Sequence, residues 1–176
     1  MEHKTSSGLS LIELLMTLAI ISILGLSMPQ LSILLAKQRL DSSQSELRLL
    51  VNRARLEALT RRERITLCPL AADGRCLPDW TGTVAIFIDG NGNRRQDPGE
   101  MLLYQMQLDP SIRVQWRGMG PANSLHFSAQ GVTFVSNGTF SLCHPGHDET
   151  LRLIVNRQGR ARSERIKQAC PGIATT

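Results

Sequence analysis

The chain has 176 residues, enough for one domain plus an anchor, and at 4% aromatic content its core has to be aliphatic. The formal net charge of +5 lies in one stretch: Leu151 to Thr176 holds six cations against one anion, and the rest of the chain is neutral. No G-x-S-x-G, H-E-x-x-H, phosphate loop or glycine-rich strand-to-helix turn occurs, so neither an enzyme nor a cofactor is expected.

Residues 3 to 26 read HKTSSGLSLIELLMTLAIISILGL, an apolar run with Glu13 near its start and a short polar leader in front. A charge inside a membrane helix costs roughly 2.5–3.5 kcal/mol on insertion scales, so keeping it needs a reason. A signal peptide cut after the run would want a small-residue site there, and the run ends instead in Leu26, Ser27, Met28 and Pro29. A plain anchor fits the roughly 18–20 apolar residues of a span but leaves Glu13 without a role. Cleavage after Gly8 makes Glu13 the fifth residue of the mature chain and the new amino group at Leu9 its counter-ion.

The run GLSLIELL, residues 8 to 15, resembles the class III signal of type IV prepilins and pseudopilins, with Leu9 where that family usually has Phe. The resemblance implies that a prepilin peptidase cuts between Gly8 and Leu9 and methylates the Leu9 nitrogen. It also implies that Glu13 sets the register of each subunit against a neighbour's N-terminus during filament assembly. Other pilins and minor pilins are then the partners. The implied location is a single pass in the bacterial inner membrane with a periplasmic head, followed by the pilus filament or its tip. The physics agrees, because a carboxylate in lipid is tolerable only with a partner.

Pro29 falls where it would kink the helix rather than end it. Beyond it Leu31, Leu34, Leu35, Leu40, Leu47, Leu50, Val51, Ala54 and Ala58 recur at helical spacing, with Arg39, Glu46, Arg53 and Glu57 on the other faces. Three segments follow. Residues 1–8 form a leader, 9–62 one long helix (9–28 in membrane or filament core), and 63–176 an antiparallel β head with a basic C-terminal strand or tail. Candidate strands are 64–68, 83–88, 102–106, 112–116, 124–127, 132–135, 139–143, 151–155 and 160–166. A long helix followed by antiparallel strands is an α+β layout, which is also the type IV pilin architecture.

Within the pilins the downstream sequence resembles the GspH/FimT family. The matching stretches are LCP at residues 67–69, IDGNGNRRQDPGE at 88–100, LHFSAQG at 125–131, and GTFSLC at 138–143. Gly159-Arg160-Ala161-Arg162 is similar to the G-R-x-R motif of the FimT branch. That resemblance implies a minor pilin that captures extracellular double-stranded DNA for natural transformation. Two alternatives share the anchor and fold: a structural minor pilin that primes pilus assembly, and a minor pseudopilin of a type II secretion system.

The candidate sites are few. Arg160 and Arg162 follow a turn, two residues apart on one side of a strand, with Arg157, Arg165 and Lys167 in support; such a cluster holds phosphates bidentately, and the absence of nearby aromatics points to the phosphate backbone rather than to bases. A solvated strand face is the bland reading of the same residues. Asp89, Asn91, Asn93, Asp97 and Glu100 have EF-hand spacing and are candidate calcium ligands, but Arg94 stands where the loop glycine belongs. Hairpin-loop chemistry accounts for the same residues, and for more of them. Cys68, Cys76, Cys143 and Cys170, behind an export-like N-terminus, point to two disulfides. Three pairings are open, of which Cys68–Cys76 and Cys143–Cys170 are the simplest. His144 and His147 beside Cys143 have metal-like spacing, though Pro145-Gly146 reads first as a turn.

Overall fold

The structure, a computed structural model, describes residues 10–119 and 123–170, and of residues 23–30 the backbone only. The expected cleavage point between Gly8 and Leu9 lies outside the described residues. The chain divides into two compact units, Met1–Ala36 and Lys37–Thr176.

Helix α1 (Leu11–Arg61) continues through Pro29 without a break. At its start the Ser10 carbonyl accepts the N–H groups of Glu13 and Leu14, at 3.0 and 3.2 Å. Leu11, Ile12, Leu14, Leu15, Met16 and Leu18 are exposed around Glu13, itself exposed. Thr17 and Ser22 turn their hydroxyls back to the carbonyls of Leu14 and Leu18, so both polar groups are satisfied within the helix. Among the described residues no helix is long and apolar enough to cross a membrane.

In the second unit α1 buries Leu40, Ser43, Leu47, Leu50, Ala54 and Ala58, a stripe at three- and four-residue steps, with Val51 beside it, that faces the sheets. It stops at Arg61, and Arg62 at φ 58° supplies the left-handed residue that turns the chain out of the helix. The strands are β1 (Ile65–Pro69), β2 (Thr83–Ile88), β3 (Leu102–Gln107), β4 (Arg113–Gly118), β5 (Leu125–Phe127), β6 (Gly138–Cys143), β7 (Glu149–Val155) and β8 (Ala161–Lys167). They form two four-stranded sheets, β3-β2-β1-β5 and β4-β6-β7-β8, antiparallel throughout. The protein is therefore α+β, a helix packed on antiparallel sheets.

The core is largely aliphatic, with Phe87 and Phe127 buried singly and Trp80, Trp116 and Phe140 forming a knot in which Phe140 is 4.6 and 4.2 Å from the two indoles. Residues 132–135, expected as a strand, form a turn instead. Phe134 has φ 41°, which breaks the extended pattern, while Thr133 donates to the Arg157 carbonyl and Ser136 to that of Thr133. Phe134 and Val135 are consequently left exposed rather than paired. Of the three pairings open to four cysteines, the structure holds Cys68–Cys76 and Cys143–Cys170.

Candidate nucleic-acid interface

The β7–β8 hairpin places the arginine strip. Its turn is built from Asn156 to Gly159: the Gly159 N–H reaches the Asn156 carbonyl at 2.9 Å, and the Asn156 side-chain oxygen accepts the Arg160 N–H at 2.9 Å. Gly159 is left-handed at φ +73°, the conformation a three-residue hairpin loop needs in its last place. A Cβ there would also run into the Gly131 carbonyl oxygen. The glycine of the G-R-A-R stretch is thus a backbone requirement that fixes where the strand after it starts.

From the turn, β8 runs as the edge strand of its sheet, and Arg160 and Arg162 are exposed. Strand parity then divides the expected set. Directly paired residues share a face, and Leu151 and Leu153, opposite Arg165 and Ser163, point into the core. Arg165 is therefore on the core-side face, and Arg162 on the outer face opposite Ile154. The Arg165 guanidinium is occupied: it donates to Asp41 at 2.6 Å and to Glu149 at 2.7 Å. Its hydrogen bond holds the Glu149 carboxyl below the usual carboxylate range. Lys167 shares the parity of Arg165, opposite Glu149, and Arg157 is exposed at the turn. The five expected cations are thus not one surface: Arg160 and Arg162 form it, Arg157 borders it, and Arg165 is tied to α1 and β7.

The register carries that outer face across four strands. One row runs Arg117, Thr139, Ile154, Arg162; the next runs Gln115, Ser141, Arg152, Glu164; the third runs Arg113, Cys143, Thr150, Ile166. The third row is crossed by the chain after β8, because Thr150 Oγ1 donates to the Gln168 carbonyl at 2.7 Å and Cys143 is bonded to Cys170. The disulfide therefore straps the C-terminal segment across the lower border of the face. Reading the tail alone misses Arg113 and Arg117. The signal that finds them is two arginines of like parity in the strand 113–118, which needs the register to be placed beside the tail.

The other candidates have different surroundings. The Asp89 side chain is buried; Oδ2 accepts the Thr66 hydroxyl at 2.6 Å and lies 3.7 Å from Arg64 Nε. Asp97 accepts the side-chain amides of Asn91 and Asn93, which lower its pKa, and Glu100 accepts the N–H groups of Gly90 and Asp97. These oxygens are spent on holding the 88–100 loop together. Among the described residues no group of three or more His, Cys, Asp or Glu could hold a metal ion. Cys143 is in a disulfide, and His144 Nδ1 lies 2.7 Å from the Pro145 carbonyl. His126 is half-buried on β5; burial first, then the charges of Arg64 and Arg94, push its pKa from 6.5 to about 4.

Comparison with known proteins places this geometry. Residues 44–159 match the family model described as type II transport protein GspH, and residues 3–28 match the prokaryotic N-terminal methylation motif. The chain is 32% identical over 170 residues to the pilin-like protein PilA1 of Thermus thermophilus, an alignment covering 91% of this chain and 99% of the relative. Among solved structures it is similar in fold to the type IV minor pilin FimU of Pseudomonas aeruginosa. The TM-score is 0.57 at 22% identity, over 73% of this chain and 90% of that one. A second crystal form of FimU gives 0.55 at 23% identity, over 71% and 92%.

Proposed function

The chain belongs to the GspH family of minor type IV pilins and pseudopilins, and from that premise we propose that it is a minor pilin that captures double-stranded DNA by its phosphate backbone for natural transformation. The observation that carries the reading is the pair Arg160 and Arg162, exposed on an edge strand behind a turn that only glycine fits. Neither arginine takes part in an ion pair among the described residues. Guanidiniums two residues apart on one strand face suit successive phosphates, and the contact is sequence-independent. With Arg165 occupied and Lys167 on the core-side face, the strip offers Arg157, Arg160 and Arg162. Three phosphate contacts give a log–log salt slope of about −3. Affinity for one head is micromolar or weaker at physiological salt, strengthened by avidity where several heads line one filament.

Delivery of that head to the surface follows from the N-terminus. A prepilin peptidase cuts after Gly8 and methylates Leu9; the apolar helix holds the chain in the inner membrane until it joins a pilus. Glu13 then pairs with a neighbouring pilin's terminus.

A second reading, a structural role in priming pilus assembly, is favoured by the exposed Leu49 and Leu56 on α1. Leu49 lines a concavity of about 330 Å³ with Glu46, Leu50, Arg53, Tyr104 and Met106, apolar surface of the kind a neighbouring subunit covers. The experiment is Arg160→Gln/Arg162→Gln in the parent organism, scored for transformation and for surface pili. Loss of transformation with pili intact is expected. Joint loss of both supports the priming role, and wild-type transformation by a folded double variant makes the strip a solvated face.

A further inference from the structure

The positive surface does not end at the tail. Arg113, Arg117, Arg152, Arg160 and Arg162 share the outer face of the β4-β6-β7-β8 sheet with one acid, Glu164. The ion pairs of the described residues use Arg61, Arg64, Arg75, Arg95 and Arg165, and none of these five. Arg152 and Glu164 are direct cross-strand partners, yet they too form no ion pair. Five uncompensated guanidiniums on one flat face form a site for a polyanion.

The shape of the face narrows the ligand. Thr139 and Ile154 form the floor of a shallow trough of about 460 Å³ that reaches Asn156 and Arg157. In the same row Arg117 stands on one side of that floor and Arg162 on the other, three strand spacings or roughly 14 Å apart at the backbone. Arginine side chains are long enough to reach from both sides an extended charged strand laid in the trough. No aromatic residue stands in the three rows, so bases find nothing to stack on. The disulfide-strapped segment crosses the lower border at Cys143 and Thr150, leaving open the upper two rows and the exposed Arg113 at the β4 end of the third.

We propose that this sheet face is a two-sided clamp on one phosphate backbone of duplex DNA, in which Arg113, Arg117 and Arg152 contact phosphates opposite Arg160 and Arg162. The proposal rests on the DNA-binding reading above and extends it from a strip to a surface. It raises the number of cations in reach from three to six, so the log–log salt slope of the wild type becomes about −5 instead of about −3.

The test uses the full chain in neutral-lipid nanodiscs, titrated into a short fluorescent duplex at several salt concentrations. Arg113→Gln/Arg117→Gln is compared with Arg160→Gln/Arg162→Gln and with a charge-matched control pair, Arg48→Gln/Arg62→Gln, at exposed positions on α1 and just past its end. Both interface pairs are expected to weaken binding by about tenfold or more at 0.15 M salt and to flatten the slope by about two units, as two lost phosphate contacts require. The control pair is expected to change little. Should the glutamine pair fold poorly, Arg113→Lys/Arg117→Lys keeps the charge and loses the bidentate fork, and weaker binding at an unchanged slope supports the clamp.

Wild-type affinity of a folded Arg113/Arg117 pair, with the Arg160/Arg162 pair weakened, overturns the clamp and leaves the strip. Wild-type affinity of both pairs overturns the strip as well. Equal losses from the control pair reduce the effect to net charge and overturn the clamp. Loss of sedimentation with phosphatidylglycerol vesicles, at unchanged duplex affinity, makes the face a membrane contact instead.

Discussion

Gly159 decides where the arginines point. Its φ of +73° lies where an L-residue costs roughly 1–2 kcal/mol, and a Cβ would collide with the Gly131 carbonyl, itself the acceptor of Arg55 Nε at 3.1 Å. Gly159→Ala is therefore expected to lower stability by about 2–3 kcal/mol, read as a lower urea midpoint at unchanged m. A midpoint equal to wild type would mean that the turn relaxes freely and does not fix the strand. His126 gives a second residue-scale effect. Its folded pKa of about 4 is below the unfolded 6.5, so the unfolded state takes up the proton first. The stability this group contributes is complete above pH 6.5 and is lost as pH falls towards 4. The difference in melting temperature between wild type and His126→Asn should therefore move against the wild type over that window. A pH-independent difference would show that the imidazole titrates normally.

Much of the element layout was legible. Alternation marked residues 112–116 and 151–155, because one buried face imposes a period of two, whereas 83–88 is a short apolar run buried on both faces. It failed at 132–135, where apolar residues alternate suitably but a left-handed Phe134 and side-chain bonds from Thr133 and Ser136 hold a turn. The tail arginines were legible as a motif, though not their division: one of the two carboxylates that occupy Arg165 comes from Asp41, far away in sequence on α1. Arg113 and Arg117 were out of reach for a similar reason, since two strands separate β4 from β8. The Cys143–Cys170 bridge makes its own prediction at this scale. It closes a segment with a sequence separation of 27 that contains β7 and β8. Cys143→Ser/Cys170→Ser should cost about 2–4 kcal/mol, with faster amide exchange from Ile166 onward than in the paired middle of β8. Uniform protection along β8 in the variant would show that the strap contributes nothing local.

The two units of the molecule solve different problems. Lys37–Thr176 has its own core and two disulfides, and leaves apolar side chains such as Leu49 and Leu56 exposed only outside that core. In the described part of Met1–Ala36, leucine and isoleucine side chains stand exposed around a lone carboxylate, so whatever covers them comes from outside the chain. On the proposed reading that cover is lipid first and neighbouring helices later. The two environments treat Glu13 oppositely: in lipid it costs roughly 2.5–3.5 kcal/mol, and in the filament it gains a neighbour's ammonium. Glu13→Ala should consequently enter the membrane at least as well as wild type and yet be scarce in sheared pili, where the pairing that sets the subunit's stagger is missing. Immunoblots of membrane and sheared-pilus fractions read both at once. Wild-type abundance in the pili would remove the pairing role, and loss from the membrane fraction would place the defect before assembly.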